Sequence, residues 1–488
     1  MMAAFLCGLG VALGQAPFHL WPIALLGLTG CFGLVYQSQR LRDGFWLGWA
    51  GGVGFFALAL NWIVEPFLVD VARHGWMAPF ALVLLAAGLA LFWGLAGGLC
   101  VRLGKRGLAW IAAMAAFELV RSYIFTGFPW ALVGQMWSPY APAQWAAFVG
   151  VHGLNLASFA ISVGLYFAVA RRNLKAGSAA LLFLAALWSG GIYLQGLPVA
   201  GTVSDKMVRL VQPNAPQHQK WDPAHSAKFF QRQIEATKAA PRPDLIIWPE
   251  TSVPIYFEAD HPAVAAISKA ADGVPVVFGV QRFQDRRVFN SAVVLDEAGH
   301  VDQIYDKHHL VPFGEYVPLG DFLARFGIYG LASQNGAGFS AGPGPELLDI
   351  KGLGKALVLI CYEAVFPQDI QKAPARPDYL LQITNDAWFG QATGPYQHFE
   401  QARLRAIEQG LPMIRVANTG VSAVIDAKGH TVKSLPLGRS GWIDAMIPAP
   451  DAPTVYSRFG DLISGLAILL MFLTVIVSGA IKGHRIAD

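Results

Sequence analysis

The 488-residue chain is short of charged residues, and this scarcity excludes an entirely soluble protein. Only 14% of its residues are Asp, Glu, Lys or Arg, whereas 54% are hydrophobic. Soluble domains are about one quarter charged, so we expect a large part of the chain to lie in lipid. The formal net charge of +4 is too small to indicate nucleic-acid binding.

Cysteine is also scarce, with four in the chain. Cys7, Cys31 and Cys100 lie in apolar stretches, and only Cys361 lies in the polar middle part. The sequence has no Cys-x-x-Cys pair, so it supports neither a zinc ribbon nor a redox motif. Cys361 is therefore either a buried structural residue or a reactive nucleophile.

Long apolar runs, in contrast, are frequent. Runs of about 18 residues with few charges are typical of transmembrane helices. The first run lacks a charged n-region and a second follows almost at once, so we interpret it as a retained span and not as a cleaved signal peptide. The predicted spans are 3–16, 20–37, 44–68, 77–100, 108–127, 144–169, 177–195 and 461–481.

Basic residues lie in alternate connecting loops, and this asymmetry predicts the orientation of the spans. The loops around 17–19 and 128–143 hold no Lys or Arg, and the loop near 70–76 holds only Arg73. The positive-inside rule then predicts that the C-terminus is cytoplasmic and that the insert between the last two spans lies in the periplasm of a Gram-negative bacterium. The basic residues after the even-numbered spans are Arg40, Arg42, Arg102, Lys105, Arg106, Arg171, Arg172, Lys175, Lys482, His484 and Arg485.

We predict three parts: a membrane domain with seven spans at 1–199, a periplasmic domain at 200–458, and a helix with a short cytoplasmic tail at 459–488. The insert alternates short β-type runs with helical stretches, which is typical of an α/β layered domain. The predicted strands are 208–211, 245–248, 276–279, 357–360 and 380–383, and the predicted helices are 224–239, 262–272 and 397–410.

Three of these predicted strands end in polar residues. Glu250, Cys361 and the pair Asn385 and Asp386 each follow one of them, and Lys307 lies in a loop-like segment between them. Active sites of α/β domains gather at the carboxyl ends of strands. A carboxylate can take the proton of a thiol, and an ammonium can stabilise the anionic oxygen of a tetrahedral intermediate, so these residues form a set for acyl transfer.

Several candidates also have structural interpretations. Glu250 could cap a following helix, and Asn385 with Asp386 could shape a turn instead of a site. His308 and His309 are adjacent, so their side chains diverge and no metal site is expected. For the pair at 388–389, Trp and Phe, we favour a lid against lipid slightly over a place in the core.

Two further features lie outside the candidate set. The apolar stretch 319–339 either packs on the domain or forms an amphipathic arm that dips into the outer leaflet and guides acyl chains to Cys361. Glu118 and Arg121 lie three residues apart within a predicted span. Ionisable residues within a membrane are usually paired or functional. For Glu118 and Arg121 we favour a structural ion pair over contact with a phospholipid headgroup.

Three motifs resemble the nitrilase superfamily of carbon–nitrogen hydrolases: Trp-Pro-Glu at 248–250, Lys-x-His-Leu-Val-Pro-Phe-Gly-Glu at 307–315 and Cys-Tyr-Glu at 361–363. The membrane embedding, together with Gly-Phe-Pro-Trp at 127–130, resembles the apolipoprotein N-acyltransferases of that superfamily. This resemblance covers nearly the whole chain. It implies a polytopic α-helical membrane domain of about eight transmembrane helices plus an α/β nitrilase-like αββα sandwich, with no cofactor or metal.

The resemblance also implies a role for each matching residue. Glu250 is the general base, Lys307 the oxyanion stabiliser and Cys361 the nucleophile. The implied supporting residues are Glu315, Tyr362, Glu363 and Trp221. The implied reaction moves an acyl chain from a membrane phospholipid, typically phosphatidylethanolamine, onto Cys361 and then to the α-amino group of the diacylglyceryl cysteine of an apolipoprotein, at the inner membrane.

Two other functions stay open at this point. A membrane-tethered amidase or nitrilase would use the same three residues on a small C–N substrate, but seven preceding spans would then serve no evident purpose. A transporter would need polar residues along its spans, and these are sparse. The chain also has no pair of Gly- or Pro-broken segments in matching halves.

Overall fold

The computed structural model describes residues 1–104, 107–318 and 338–484, with side chains up to residue 478. Lys105, Arg106 and Arg485 of the basic loops, and residues 319–337 of the predicted apolar arm, lie outside the described residues. The chain folds as two compact units. One comprises Met1–Val64, Trp76–Pro198 and Pro453–Asp488, and the other comprises Glu65–Gly75 and Val199–Ala452.

The first unit is helical. Its longest helices each correspond to one predicted span. The helices are Met2–Ala12, Trp21–Gln37, Leu41–Ala59, Asn61–Val64, Ala78–Arg102, Gly107–Tyr123, Val133–Trp137, Ala141–Trp145, Ala146–Ala170, Leu174–Gly196, Val455–Phe459 and Leu462–His484.

Length and composition qualify only some of these helices as membrane spans. Within the described residues, three are long and apolar enough: Val71–Arg102, Ala141–Ala170 and Leu174–Gly196. The pair Leu41–Ala59 and Asn61–Leu68, bent by 63°, makes a fourth if it counts as one span. The other apolar helices are shorter, so a helix is present at each predicted position but fewer than eight meet this criterion.

Two long helices of this unit touch backbone to backbone. A Cβ atom added to Gly48 would lie 2.3 Å from the carbonyl oxygen of Trp93, and one added to Gly97 would lie 2.3 Å from that of Gly44. Small residues allow such close approach between helices in lipid, where packing supplies much of the association energy. Glycine at these positions therefore allows the helices Leu41–Ala59 and Ala78–Arg102 to pack in close contact.

The predicted ion pair within the spans is structural. Arg121 Nη2 lies 2.6 Å from Glu118 Oε2, and the two side chains are at most 1% exposed. Trp93 Nε1 donates to Glu118 Oε1 at 2.8 Å, and Arg121 donates to the carbonyl oxygens of Phe128 and Trp130. Since both charges are buried and hydrogen-bonded, the structural interpretation is confirmed and the pair anchors the loop at 128–130.

In the part of the chain that the structure describes, the second unit contains two six-stranded sheets. The strand order is β12-β1-β2-β3-β4-β5 in the first and β11-β10-β9-β8-β7-β6 in the second. Strands β1–β3 and β7–β9 are parallel, and all other neighbours are antiparallel. The strands are β1 (Met207–Gln212), β2 (Leu245–Ile247), β3 (Val276–Gln284), β4 (Arg287–Leu295), β5 (Val301–Asp306), β6 (Leu347–Ile350), β7 (Gly354–Ile360), β8 (Tyr379–Thr384), β9 (Met413–Ala417), β10 (Ser422–Ile425), β11 (Thr431–Leu435) and β12 (Gly441–Met446).

Helices cover one face of each sheet. Pro223–Lys238 and Pro262–Ala271 pack on the first sheet, and Gly394–Gln409 packs on the second. The sheets meet through their other faces, where Ser422 Oγ donates to Gln212 Oε1 at 2.6 Å. The layers are therefore α, β, β and α, as predicted. The shorter helices of this unit are Glu65–Leu68, Val71–His74, Gln217–Lys220, Cys361–Val365, Pro367–Gln371 and Asp386–Phe389.

All five predicted strands and all three predicted helices of the insert are confirmed. Strands β4–β6 and β9–β12 were not predicted. The segment Glu65–Gly75 also belongs to this unit, although the prediction assigned it to the membrane domain. Its Glu65 side chain lies against Gly390, because a Cβ atom added to Gly390 would be 2.4 Å from Glu65 Cδ.

Candidate active site

The three residues predicted for acyl transfer follow three different strands and meet in the second unit. Glu250 lies beyond β2, Lys307 directly follows β5, and Cys361 directly follows β7. Lys307 Nζ lies 3.6 Å from Glu250 Oε1, and both charged groups act electrostatically on the Cys361 thiol. All three side chains are buried, so the structure brings them together in a site shielded from water.

Two donors fix the carboxylate of Glu250. Asn290 Nδ2 donates to Oε1 at 2.7 Å, and the backbone N–H of Asn385 donates to Oε2 at 2.8 Å. Asn385 thus contributes to the site through its main chain. Its side chain is hydrogen-bonded to Gln217 and Asn418, so Asn385 also has a structural role, which the sequence analysis considered as an alternative to a site role.

Lys307 and Glu315 form the second half of the charged cluster. Lys307 Nζ donates to Glu315 Oε1 at 2.9 Å, and the backbone N–H of Val311 donates to Glu315 Oε2 at 2.9 Å. Burial alone would lower the pKa of Lys307, but the carboxylates of Glu315 and Glu250 outweigh it and raise that pKa above the usual range. The ammonium therefore stays charged.

Cys361 has a strained backbone that the surrounding residues hold in place. Its φ is 52°, in the left-handed region that non-glycine residues rarely adopt. Its carbonyl oxygen accepts a hydrogen bond from Gln382 Nε2 at 3.0 Å, and His398 Nε2 lies 3.0 Å from the same oxygen. Strain of this kind persists where neighbouring contacts determine the conformation, and it is frequent at functional sites.

The thiol of Cys361 is neutral at rest. Burial raises its pKa, the negative charge of Glu250 raises it further, and the ammonium of Lys307 opposes both effects only in part. The pKa therefore lies well above its usual range. A neutral thiol needs a base before it can attack a carbonyl carbon, and the carboxylate of Glu250 is available for that proton.

Behind Cys361 lies a buried polar network that sequence reasoning did not find as a unit. Asp386 Oδ2 is 2.5 Å from Arg415 Nη2, and Asp386 Oδ1 is 2.9 Å from His398 Nδ1. Burial would raise the pKa of Asp386, but Arg415 and His398 outweigh it and lower the pKa to about 2. Burial, and then Arg415, lower the pKa of His398, so a neutral imidazole donates Nδ1–H to Asp386.

Glu363 joins the Lys307 segment to the turn that carries Cys361. Its Oε1 accepts from Tyr305 Oη at 2.9 Å and from the backbone N–H of His308 at 2.8 Å. Its Oε2 accepts from the backbone N–H of Ile360 at 2.7 Å. These bonds give Glu363 a role in holding two segments of the site together.

The adjacent histidines and Tyr362 also have defined contacts. His308 Nδ1 lies 2.7 Å from Glu363 Oε1, and His309 Nδ1 lies 2.6 Å from Asp369 Oδ2. The ring of Tyr362 packs edge-on against that of His309, with centroids 5.7 Å apart. Both imidazoles thus bind carboxylates of the domain.

Trp221 lies beside the charged cluster and not within it. It lines a small cleft together with Lys220, Thr251 and Asn418. The ammonium of Lys220 lies 5.6 Å from the centre of the Trp221 ring, and it donates to the carbonyl oxygen of Glu250 at 3.0 Å. Lys220 therefore links this cleft to the turn of the predicted base.

Comparisons with known proteins cover both units. Residues 207–454 match the family model "Carbon-nitrogen hydrolase", and residues 7–164 match "Apolipoprotein N-acyltransferase N-terminal domain". An apolipoprotein N-acyltransferase of Caulobacter vibrioides is 39% identical, over 99% of this chain and 95% of the relative. This chain belongs to the apolipoprotein N-acyltransferase family. Another relative of that name, from Rhodopseudomonas palustris, is 35% identical over 97% and 94% of the two chains.

Among solved structures, a CN-hydrolase superfamily protein from Xanthomonas campestris resembles this member of the N-acyltransferase family. It is 24% identical with a TM-score of 0.38, and the match covers 50% of this chain and 91% of that chain.

One prediction for this N-acyltransferase family member is wrong. The sequence slightly favours a lid over the core for the pair at 388–389, but Phe389 is 7% exposed and belongs to the core. Its ring packs edge-on against His398 with centroids 5.4 Å apart. The physical reason is that the short helix Asp386–Phe389 turns this ring inward onto the buried imidazole. Trp388 is only partly buried.

Several residues of the site were not predicted, among them Asn290, Arg415, His398 and Lys220. Asn290 and Arg415 are polar residues in the middle of apolar strands, β4 and β9. That pattern is a usable signal, because an apolar strand buries a polar group only with a partner. His398 lies in a helix of mixed polarity, and Lys220 lies in a polar segment, so neither stands out in the sequence.

Proposed function

We propose that this protein transfers an acyl chain from a membrane phospholipid, through a thioester on Cys361, to the α-amino group of the N-terminal diacylglyceryl cysteine of apolipoproteins. The observation that carries this proposal is the neutral buried thiol beside a fixed carboxylate and a charged ammonium. Membership of the N-acyltransferase family supports acyl transfer over amide hydrolysis.

In the first half-reaction, Glu250 accepts the proton of the Cys361 thiol as Sγ attacks the ester carbonyl carbon of the phospholipid. Lys307 stabilises the negative oxygen of the tetrahedral intermediate, and the backbone N–H of Tyr362, directly after the nucleophile, supplies a second donor. The C–O bond then breaks, and Glu250 returns the proton to the departing alkoxide. The products are a lysophospholipid and an acyl thioester on Cys361.

In the second half-reaction, the uncharged α-amino group of the apolipoprotein attacks the thioester carbonyl carbon. Glu250 takes the proton that the amine loses, and the C–S bond breaks. The proton passes to Cys361 Sγ, so the enzyme returns to its neutral resting thiol. Glu315 keeps Lys307 in place throughout, and exclusion of water prevents hydrolysis of the thioester.

The supporting residues have different roles in this proposal: two hold the turn at Cys361 and one contacts the substrate. Tyr362 and Glu363 hold the nucleophile turn, since Glu363 bonds to the residue before Cys361. Trp221, half-buried at the mouth of its cleft, contacts the substrate. We take phosphatidylethanolamine as the donor phospholipid.

The proposed location is the inner membrane, which family membership and the apolar helices support. We propose eight crossings, seven in residues 1–199 and one in residues 459–488. The catalytic domain, residues 200–458, is then periplasmic and the C-terminus cytoplasmic. The alternation of basic loops supports this orientation.

The decisive experiment incubates the purified protein in detergent with phosphatidylethanolamine and no acceptor. Intact and peptide masses should show one acyl chain on the Cys361 peptide, removable by hydroxylamine and absent in Cys361→Ala. A protein that forms no such adduct, with Cys361 still a free thiol, would instead be tested on small amides as a membrane-tethered amidase.

A further inference from the structure

Lys220 is a buried lysine that the mechanism above does not use. Only 5% of its surface is exposed. Among the described residues, no carboxylate lies within ion-pair distance of its ammonium. A buried charge without a direct partner costs free energy. Other contacts must therefore stabilise the buried ammonium of Lys220.

Its hydrogen bonds hold the turn that carries Glu250. Lys220 Nζ donates to the carbonyl oxygen of Glu250 at 3.0 Å and to Thr251 Oγ1 at 2.7 Å. Thr251 has a φ of 43°. A β-branched residue is strained in this left-handed region, and it stays there only when other contacts hold it.

The opposite side of the turn rests on strand β3. A Cβ atom added to Gly279 would lie 2.5 Å from the backbone nitrogen of Thr251 and 2.6 Å from Glu250 Cα. The backbone N–H of Ser252 also donates to the Gly279 carbonyl oxygen at 2.8 Å. The turn is thus clamped between the main chain of β3 and the side chain of Lys220.

The charge of Lys220 acts on the same residues. Burial lowers its pKa, while Glu250 and Cys361 oppose that effect, and the result is about 8. The ammonium is therefore mostly protonated at pH 7. Lys220 and Lys307 then balance the two carboxylates of Glu250 and Glu315, and loss of Lys220 would leave one uncompensated negative charge beside the thiol.

We propose that Lys220 is a positioning residue of the active site, which holds the turn at Glu250 and Thr251 in its strained conformation and supplies the second positive charge beside Glu250 and Cys361. This inference rests on the proposed function, because it takes Glu250 as the base and Cys361 as the nucleophile. It assigns Lys220 no contact with substrate.

The test compares Lys220→Met with wild type and with Lys228→Met, which removes an exposed lysine of the neighbouring helix. Two rates are measured from pH 6 to 10: alkylation of Cys361 by iodoacetamide, and thioester formation from phosphatidylethanolamine. For Lys220→Met we expect alkylation to require a pH higher by about one unit. Thioester formation at pH 7 should fall by roughly 100-fold, because a misplaced base costs about that much.

The control Lys228→Met should match wild type in both rates. Lys220→Arg keeps the charge, so its alkylation profile should stay at the wild-type pH even if thioester formation is slower. A purely structural lysine would not move the alkylation profile, so a Lys220→Met profile that superimposes on the wild-type profile would overturn the proposal.

Thermal unfolding shows whether Lys220→Met is folded. If it is not, Lys220→Gln takes its place, since it retains a donor for the turn and lacks the charge. An unshifted alkylation profile in that variant likewise overturns the proposal. Failure of the proposed function is a different result, because wild-type protein would then form no thioester although its alkylation profile still responds to Lys220.

Discussion

Single residues decide how the resting thiol is kept unreactive. Cys361 is neutral because burial and the carboxylate of Glu250 raise its pKa more than Lys307 lowers it. A neutral thiol is a poor nucleophile, so the free enzyme resists alkylation. In the proposed mechanism the same carboxylate takes the proton of the thiol, so Glu250 both restrains the thiol at rest and activates it in the reaction.

This double role gives a pH-dependent prediction. In Glu250→Gln the negative charge that raises the pKa of Cys361 is gone, so alkylation by iodoacetamide should become faster at any given pH between 7 and 9. Lys307→Met should slow alkylation, because it removes the charge that lowers the pKa. Both variants should fail to form the thioester, which mass spectrometry checks. Slower alkylation in Glu250→Gln would contradict this electrostatic account.

Asn290 gives a second prediction at this scale. Its Nδ2 donates to both Glu250 Oε1 and Glu315 Oε1, at 2.7 and 3.1 Å. Asn290→Ala leaves both buried carboxylates short of a donor, at a cost of about 1–3 kcal/mol. We expect thioester formation to fall by roughly 10- to 100-fold with the protein still folded.

The matched control for this change is Gln303→Ala on strand β5, whose side chain is only partly buried and bonds outside the site. It should leave the rate of thioester formation unchanged. Equal rates for Asn290→Ala and wild type would show that the orientation of Glu250 does not depend on this amide.

At the scale of elements, strands β8 and β9 hold the backbone turn at Cys361 in place. Gln382 of β8 donates to the Cys361 carbonyl oxygen, and Arg415 of β9 bonds to Gln382 Oε1 at 2.5 Å. Arg415 is also ion-paired with Asp386, and both side chains are fully buried. The left-handed turn at Cys361 therefore depends on a charge pair two strands away.

Removal of one partner of such a pair leaves the other charge buried and alone. Arg415→Met should therefore lower the free energy of unfolding by about 3–5 kcal/mol, measured by thermal or denaturant unfolding of the detergent-solubilised protein. Arg242→Met, at an exposed pair with Asp272, should cost at most about 1 kcal/mol. Similar losses for the two variants would contradict the importance of burial.

The elements also show what sequence can and cannot reveal. Short apolar runs such as 357–360 are recognisable because both faces of a parallel strand are buried. Strand β11 was missed because its first four residues are exposed and Val432 is the one apolar residue among them, so the strand has no apolar run. The convergence of Glu250, Lys307 and Cys361 was predictable from motifs, whereas Asn290 and Lys220 act through contacts between distant segments, which no local pattern encodes.

For the whole molecule, the orientation of the catalytic unit is a prediction that labelling can test. Asp285→Cys, at an exposed hairpin tip, should react with a membrane-impermeant maleimide in intact spheroplasts. Lys175→Cys, in a predicted cytoplasmic loop, should react only after permeabilisation. The reverse pattern would invert the proposed topology.

The membership of Glu65–Gly75 in the second unit has a consequence for how this enzyme is made and dissected. The ribosome delivers this strip about 125 residues before the rest of its unit, counted from Gly75 to Val199. Until Val199–Ala452 has been synthesised, the strip cannot pack on the rest of its unit and must not form non-native contacts. A recombinant fragment of residues 200–458 would lack the strip altogether and leave the surface at Gly390 uncovered, so the catalytic half should be less stable when excised than in the intact chain.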